Sequence, residues 1–217
     1  LNDVKIVANG RISDDEFKFI KKHIKYKFSD MFFADAVILV EGISEYNLLP
    51  YYLEQSKKLR HKYISVLNIN GAHGMVYNTL LKALKIPTVI ITDLDIKRTE
   101  GEKKTYKQIS KLTERETTNQ TIIHYNANGK DIDNVPQYFQ DGNIYITFQN
   151  KVGYYYATSF EEAFIASNSH NEIVNKVLKK LKPDIYKEIV GDPENMLNNK
   201  KNSFKWQCKL ASAKSDF

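Results

Sequence analysis

An α/β fold with a mostly parallel sheet follows from three observations. Short runs rich in β-branched residues recur, each ends in a turn or acidic signal, and helix-length stretches separate them. The first run is Ala36 to Val40, closed by Glu41-Gly42. The second is Tyr63 to Ile69, closed by Asn70-Gly71, and the third is Thr88 to Thr92, after Pro87. Helices are predicted between them over 44–58 and 73–85. A strand–helix–strand–helix–strand order calls for right-handed crossovers between parallel strands.

The remaining elements can be read in order. Ser13-Asp14-Asp15-Glu16 has the form of a capping box, and Phe17, Ile20, Ile24 and Phe28 then recur on one face, which predicts an amphipathic helix over 14–29. Pro50 falls inside the helix over 44–58, where a proline costs about 3 kcal/mol, so a kink or restart is expected. Beyond Asp95 the polar, lysine-rich segment to Thr118 reads as a loop and an exposed helix. Thr121 to Tyr125, Asn143 to Phe148 and Tyr154 to Ala157 read as strands. Ser159-Phe160-Glu161-Glu162 is a second capping box, opening a helix from Phe160 to Ser167, and 171–189 reads as helical with a break at Pro183. The expected organisation is a lead-in helix in 1–34 and one domain over 35–217, with a core at 35–125 and a C-terminal half at 126–217.

A chain of 217 residues can bury one sizeable core. Its apolar runs fall far short of the roughly 20 residues of a membrane helix. A single cysteine, Cys208, excludes an internal disulfide, and five scattered histidines offer no zinc-finger spacing. With no signal peptide at the start, a cytoplasmic location is expected. The net charge of +6 is uneven, with lysines dense at Lys18 to Lys27, Lys97 to Lys111 and from Lys179 onward. Such stripes suit a phosphate backbone, and Lys97, Arg98, Lys103, Lys104 and Lys107 are the candidate nucleic-acid contacts. A solvated face explains any one cluster equally well.

Ligands of open parallel sheets sit at the carboxyl ends of strands. Glu41 closes the first strand, and Asp93 and Asp95 close the third; two apart on an extended segment, these aspartates would point to one side. Adjacent strands are about 4.8 Å apart, close enough for such acids to share cations. Oxygen ligands without His or Cys favour Mg²⁺ or Mn²⁺ over zinc. One acid at a strand end more often caps a helix or faces water; three together repel unless a cation neutralises them.

Glu41-Gly42-Ile43-Ser44-Glu45 after one strand and Asp93-Leu94-Asp95 after another resemble the signature of the Toprim fold, shared by topoisomerases, primases and certain nucleases. The run from Phe32 to Gly42 resembles more narrowly the OLD (overcoming lysogenization defect) endonucleases, a group that includes the nuclease subunit of the Gabija anti-phage system. Leu48-Leu49-Pro50, Thr117-Thr118-Asn119, Ser159-Phe160-Glu161-Glu162-Ala163 and Lys214-Ser215-Asp216-Phe217 extend the resemblance across most of the chain from residue 32.

The resemblance implies a Toprim fold and metal-dependent endonucleolytic hydrolysis of DNA, in anti-phage defence. On matching positions it makes Glu41, Glu45, Asp93, Asp95 and Glu161 ligands of two Mg²⁺ or Mn²⁺ ions, with Glu41 and Lys214 the catalytic pair. Ile91 departs from family members with a serine there. Glu45 and Glu161 also fall in first helical turns, where the dipole favours acids regardless; Glu162 reads as the capping partner of Ser159. The same resemblance implies an ATPase upstream of Leu1, since no G-x-x-x-x-G-K-[ST] loop occurs here, homo-oligomerisation through that region and a helicase-like partner. A non-catalytic Toprim module that binds DNA or a partner, or the Toprim part of a topoisomerase or primase, are the competing readings. Tyr154-Tyr155-Tyr156 reads as packing before base stacking, and His73 lies close enough to the carboxyl edge to test.

Overall fold

The computed structural model describes residues 18, 21–22, 29–71, 74–190 and 200–212, without the side chains of 188–190 and 210–212. The helix expected over 14–29 lies almost wholly outside these residues; Lys18, Lys21 and Lys22 within it are helical. His73 and Lys214 also lie outside.

Two compact units share the chain. The first takes the residues up to Asp93 with Asn119–Lys130 and Val135–Phe148; the second takes Leu94–Thr118, Asp131–Asn134 and Gln149 onward. Leu94–Thr118 belongs to the second unit, while the β-strand residues past 135 belong to the first.

The first unit is an α/β sheet of five strands in the order β2-β1-β3-β5-β4, where β1 is Ala36–Val40, β2 Ile64–Asn68, β3 Thr88–Ile91, β4 Tyr138–Asp141 and β5 Ile144–Thr147. Strands β2, β1, β3 and β5 run parallel, and β4 closes one edge antiparallel to β5. Val37, Leu39, Ile90, Ile144 and Ile146 are buried together with Leu80 and Leu81 of helix α2 (Asn78–Leu84). Parallel strands covered on their faces need such continuous apolar runs. A 3-10 turn, Gly74–Tyr77, precedes α2, which stops at Lys85 in the left-handed conformation (φ 54°). Helix α1 (Ile43–Gln55) continues through Pro50 without the expected restart.

Two differences from the sequence reading have local causes. Residues Thr121 to Tyr125 form a helix rather than a strand, as part of the run Gln120–Tyr125, because the Asn119 side chain accepts the Ile122 amide hydrogen (3.1 Å) and caps it. The β-branched Thr121 and Ile122 that suggested a strand are fully buried instead. Strand β4 carries the pattern Tyr-Phe-Gln-Asp, too short and polar to be read as a strand.

The second unit is mainly helical. It contains α3 (Glu100–Lys104), α5 (Phe160–Ser167), α6 (Glu172–Leu181), α7 (Pro183–Val190) and α8 (Ser203–Ser212), the helix of the first unit at Gln120–Tyr125 being α4. A small hairpin pairs β6 (Lys151–Val152) with β7 (Tyr155–Tyr156). Pro183 breaks the C-terminal helix where expected, between α6 and α7. Ile165, Tyr186 and Trp206 form this unit's apolar centre, with the Tyr186 and Trp206 rings edge to face at 5.6 Å. Tyr155 is buried in packing while Tyr154 is 60 % exposed, as alternation along a strand requires. Among the described residues no helix is long and apolar enough to cross a membrane.

Candidate metal centre

In the first unit Glu41 follows β1 and Asp93 follows β3, at the carboxyl ends of these parallel strands. Val40 pairs with Ile91, so Glu41 and Thr92 are the next residues on adjacent strands. The Glu41 main-chain carbonyl accepts from the Gly71 amide (3.1 Å), and Thr92 donates from its amide to Thr147 O (3.0 Å), so both residues extend the sheet by one ladder step.

The Glu41 carboxylate accepts hydrogen bonds from the Thr92 hydroxyl and from Asn119 Nδ2, which stands 3.2 and 3.4 Å from its two oxygens. Asn119 is 1 % exposed and does two jobs, orienting Glu41 with its amide nitrogen and capping α4 with its amide oxygen. Thr92 was not singled out in the sequence, and Asn119 entered only as part of the Thr117-Thr118-Asn119 resemblance. The signal available for both was their place directly beside Asp93 and at a helix start.

Glu45, one turn into α1, is buried at 2 % exposure. Gly42 makes that position available. Its φ of −119° suits any residue, but a Cβ there would stand 2.5 Å from Glu45 Oε2. Asp93 is half-buried and ends the unit.

In the second unit Asp95 departs from the extended path expected after β3. Its φ is 45°, in the left-handed region that Asp tolerates better than most residues, so the two aspartates of the motif are not related by strand alternation. The Asp95 amide donates to Thr158 O (3.0 Å), and its carbonyl accepts from the Thr118 amide (3.1 Å). Glu161 is half-buried in the first turn of α5.

The neighbouring Glu162 is fully buried and caps one residue earlier than the sequence suggested. Ser159 Oγ accepts from the Glu162 amide (3.3 Å), and Glu162 Oε2 accepts from the Thr158 amide (2.8 Å). Burial pushes the Glu162 carboxyl up from its ordinary value, an effect opposed by the Thr158 hydrogen bond and by the Arg98 charge.

Arg98 is not presented to a nucleic acid. It is 8 % exposed, its Nη1 donates to Thr158 Oγ1 (2.5 Å), and its guanidinium lies 3.6 Å from the centre of the Phe204 ring. Lys97, Lys103, Lys104 and Lys107 are exposed as expected. Three of them are ion-paired, with Glu116 (2.6 Å), Glu100 (2.8 Å) and Glu102 (3.4 Å) respectively for Lys97, Lys103 and Lys107.

Glu102 anchors this segment. Arg115 donates to it twice (2.9 and 2.7 Å) and the Thr99 amide once (3.0 Å), which holds its carboxyl well below the usual carboxylate range. A depressed carboxyl stabilises the fold above its unfolded pKa of about 4.3, and that contribution is lost as pH falls toward the folded value. Glu102→Gln is therefore expected to cost about 2 kcal/mol at pH 7. The gap in thermal midpoint from the unsubstituted chain should shrink at pH 3; a gap that widens in acid would contradict this role.

Among the described residues, no three Asp, Glu, His or Cys side chains are grouped closely enough to hold one ion. Like charges brought together without a cation repel. The donor chemistry nevertheless fits a hard divalent cation, because Glu41, Glu45 and Asp93 offer only carboxylate oxygens and the missing Cβ of Gly42 leaves the Glu45 carboxylate its space.

Residues 32–95 match the family described as "Overcoming lysogenization defect protein-like, TOPRIM domain". This segment is thus similar to an OLD-like Toprim domain. The match holds Glu41, Glu45, Asp93 and Asp95, and leaves Glu161 and Lys214 outside. The chain is also 52 % identical over 205 residues to "Endonuclease GajA" of Bacillus cereus (strain HuB5-5), a similarity covering 94 % of this chain and 30 % of that relative. The chain thus spans about a third of the length of that relative.

Proposed function

We propose that this chain is the nuclease part of an OLD-type DNA endonuclease that hydrolyses phosphodiester bonds with Mg²⁺ or Mn²⁺. The observation that carries the reading is Glu41 at the end of β1, its carboxylate oriented by Thr92 and Asn119, beside the segment that bears Asp93. The relative's name as an endonuclease supports it.

Glu41, Glu45 and Asp93 are the proposed ligands that the first unit carries; Asp95 and Glu161 are proposed as ligands on the resemblance alone. Such ions, when bound, acidify a water and neutralise charge developing on the phosphate. The chain's own part is to orient: Thr92 and Asn119 fix the Glu41 carboxylate, and the Thr158 and Thr118 main chain fixes Asp95. Lys214 is the proposed positive charge beside the reacting phosphate, and Lys97, Lys103, Lys104 and Lys107 are proposed to contact DNA. An upstream ATPase, homo-oligomerisation through it, a helicase-like partner, a cytoplasmic location and a role in anti-phage defence belong to the same proposal and rest on the resemblance.

A plasmid assay tests the reading. Nicking or linearisation should appear with Mg²⁺ or Mn²⁺ and stop with EDTA; retardation of the plasmid without cutting would support a binding module instead. Gly42→Ala offers a finer check, since an alanine at this cap costs only about 1 kcal/mol. Its Cβ must displace the Glu45 carboxylate, so cutting should fall by roughly tenfold or more, as when other groups that orient ligands are disturbed. Unchanged cutting by Gly42→Ala would remove Glu45 from the site.

A further inference from the structure

Among the described residues strand β2 is an edge strand, and its outer side is bordered by two grooves of roughly 510 and 580 Å³, each within the size range of ligand pockets. Tyr46 of α1 and Tyr63 at the start of β2 line both, 42 % and 50 % exposed, so the grooves form one path along the strand. At one end stands the turn that joins α1 to β2, Lys57-Lys58-Leu59-Arg60-His61-Lys62, and Arg60 and Lys62 line the groove there. At the other end are Asn68 and Asn70, beside the strand whose end bears Glu41.

The charge of this turn differs from that of the lysine-rich segment in the second unit. Lys97, Lys103 and Lys107 are neutralised by glutamates. Lys57, Lys58, Arg60 and Lys62 have no ion pair among the described residues, and the acids that line the two grooves are Glu54 and Asp30. Arg60 Nε donates to His61 Nε2 (3.1 Å). Tyr63 is braced from behind, its amide donating to Asp35 Oδ2 (2.9 Å) and its carbonyl accepting from the Asp35 amide (2.8 Å).

We propose that this edge is a binding groove for single-stranded nucleic acid, with Arg60 and Lys62 on the phosphates and Tyr46 and Tyr63 as stacking faces. Unpaired cations track a backbone, and exposed rings accept any unstacked base. Five strand residues span about 16 Å, long enough to follow several nucleotides. The groove would lead an opened strand of the substrate toward Glu41. That last step rests on the nuclease reading; the binding itself does not.

The test measures anisotropy of a labelled single-stranded oligonucleotide with the full chain in EDTA, across a salt series. Arg60→Glu/Lys62→Glu should weaken binding by at least about tenfold and flatten the logarithmic salt slope by about 1.4, at roughly 0.7 per lost contact on a single strand. Tyr63→Ala should weaken binding by about tenfold with little change in slope. Lys103→Glu/Lys107→Glu, the control, should change both far less. These are surface substitutions, and a thermal melt checks that each variant is folded. Equal affinity of the groove variants and the unsubstituted chain would overturn the proposal and leave the open edge of β2 to an added peptide strand. If the groove variants lose binding but no preparation cuts DNA, the groove stands and the nuclease reading fails. If the unsubstituted chain cuts and the groove variants bind and cut equally well, the nuclease stands and the groove fails.

Discussion

Asp93→Ala is expected to lower metal-dependent cutting by roughly a thousandfold or more, since it removes a proposed ligand from the centre on which water activation depends. The metal-free thermal midpoint should stay level, because Asp93 is half-buried and its proposed role is to hold an ion rather than the fold. That pairing of effects separates a functional acid from a structural one, for which activity and stability fall together. Cutting within tenfold of the unsubstituted chain would end the assignment. Asp95→Ala should also be severe, yet its main chain is held by Thr158 and Thr118 independently of the carboxylate, so the loop keeps its shape and weak Mn²⁺-supported cutting should persist.

The largest expected loss of stability comes from Arg98→Ala. The arginine is 8 % exposed, and its charge offsets that of the fully buried Glu162; Thr158 bridges the two, accepting from Arg98 and donating to Glu162. Arg98→Ala removes the positive charge nearby and the Thr158 hydrogen bond while Glu162 stays buried, at about 3 kcal/mol. The guanidinium face on Phe204 is lost as well. For a chain of this size the thermal midpoint should drop by roughly 10 °C. Arg98→Ala/Glu162→Gln should recover part of it, as the stranded carboxylate disappears; a double variant no more stable than Arg98→Ala would show that the pair is not coupled. A change below about 1 kcal/mol for Arg98→Ala alone would return the residue to the surface role its lysine-rich surroundings suggested.

The contrast between Arg98 and its neighbours shows where the sequence was readable. β1, β2 and β3 were legible because each is a compact β-branched run punctuated by Gly, Asn or acid, and α5 because Ser159 and Glu162 mark its start. The places of Glu41 and Asp93 after β1 and β3 were legible from the strand runs, while their role as ligands rests on the resemblance. Helix α4 was not, since Thr121-Ile122-Ile123 favours a strand locally and only the packing and the Asn119 cap decide otherwise. Nor was the orientation of Glu41, which depends on Thr92 from the adjacent strand and on Asn119, 78 positions away in sequence. Contacts at such separations leave no periodic trace. Arg98 looked like one more cation in a basic stretch because burial is a property of what packs over it, and Phe204 comes from more than a hundred positions away in sequence.

The strand order has a consequence for how this protein can be made. β3 takes β1 as one neighbour and β5 as the other, and β5 ends at Thr147. A fragment cut at residue 125 would therefore keep every Toprim acid up to Asp95 yet leave β3, with its buried Thr88 and Ile90, as a bare rim of unpaired main-chain groups. Such a fragment should go to inclusion bodies. On the ribosome the same sheet stays open until residue 147 has emerged, well after its acids have been synthesised, which makes this interval the time when the nascent chain most needs a chaperone.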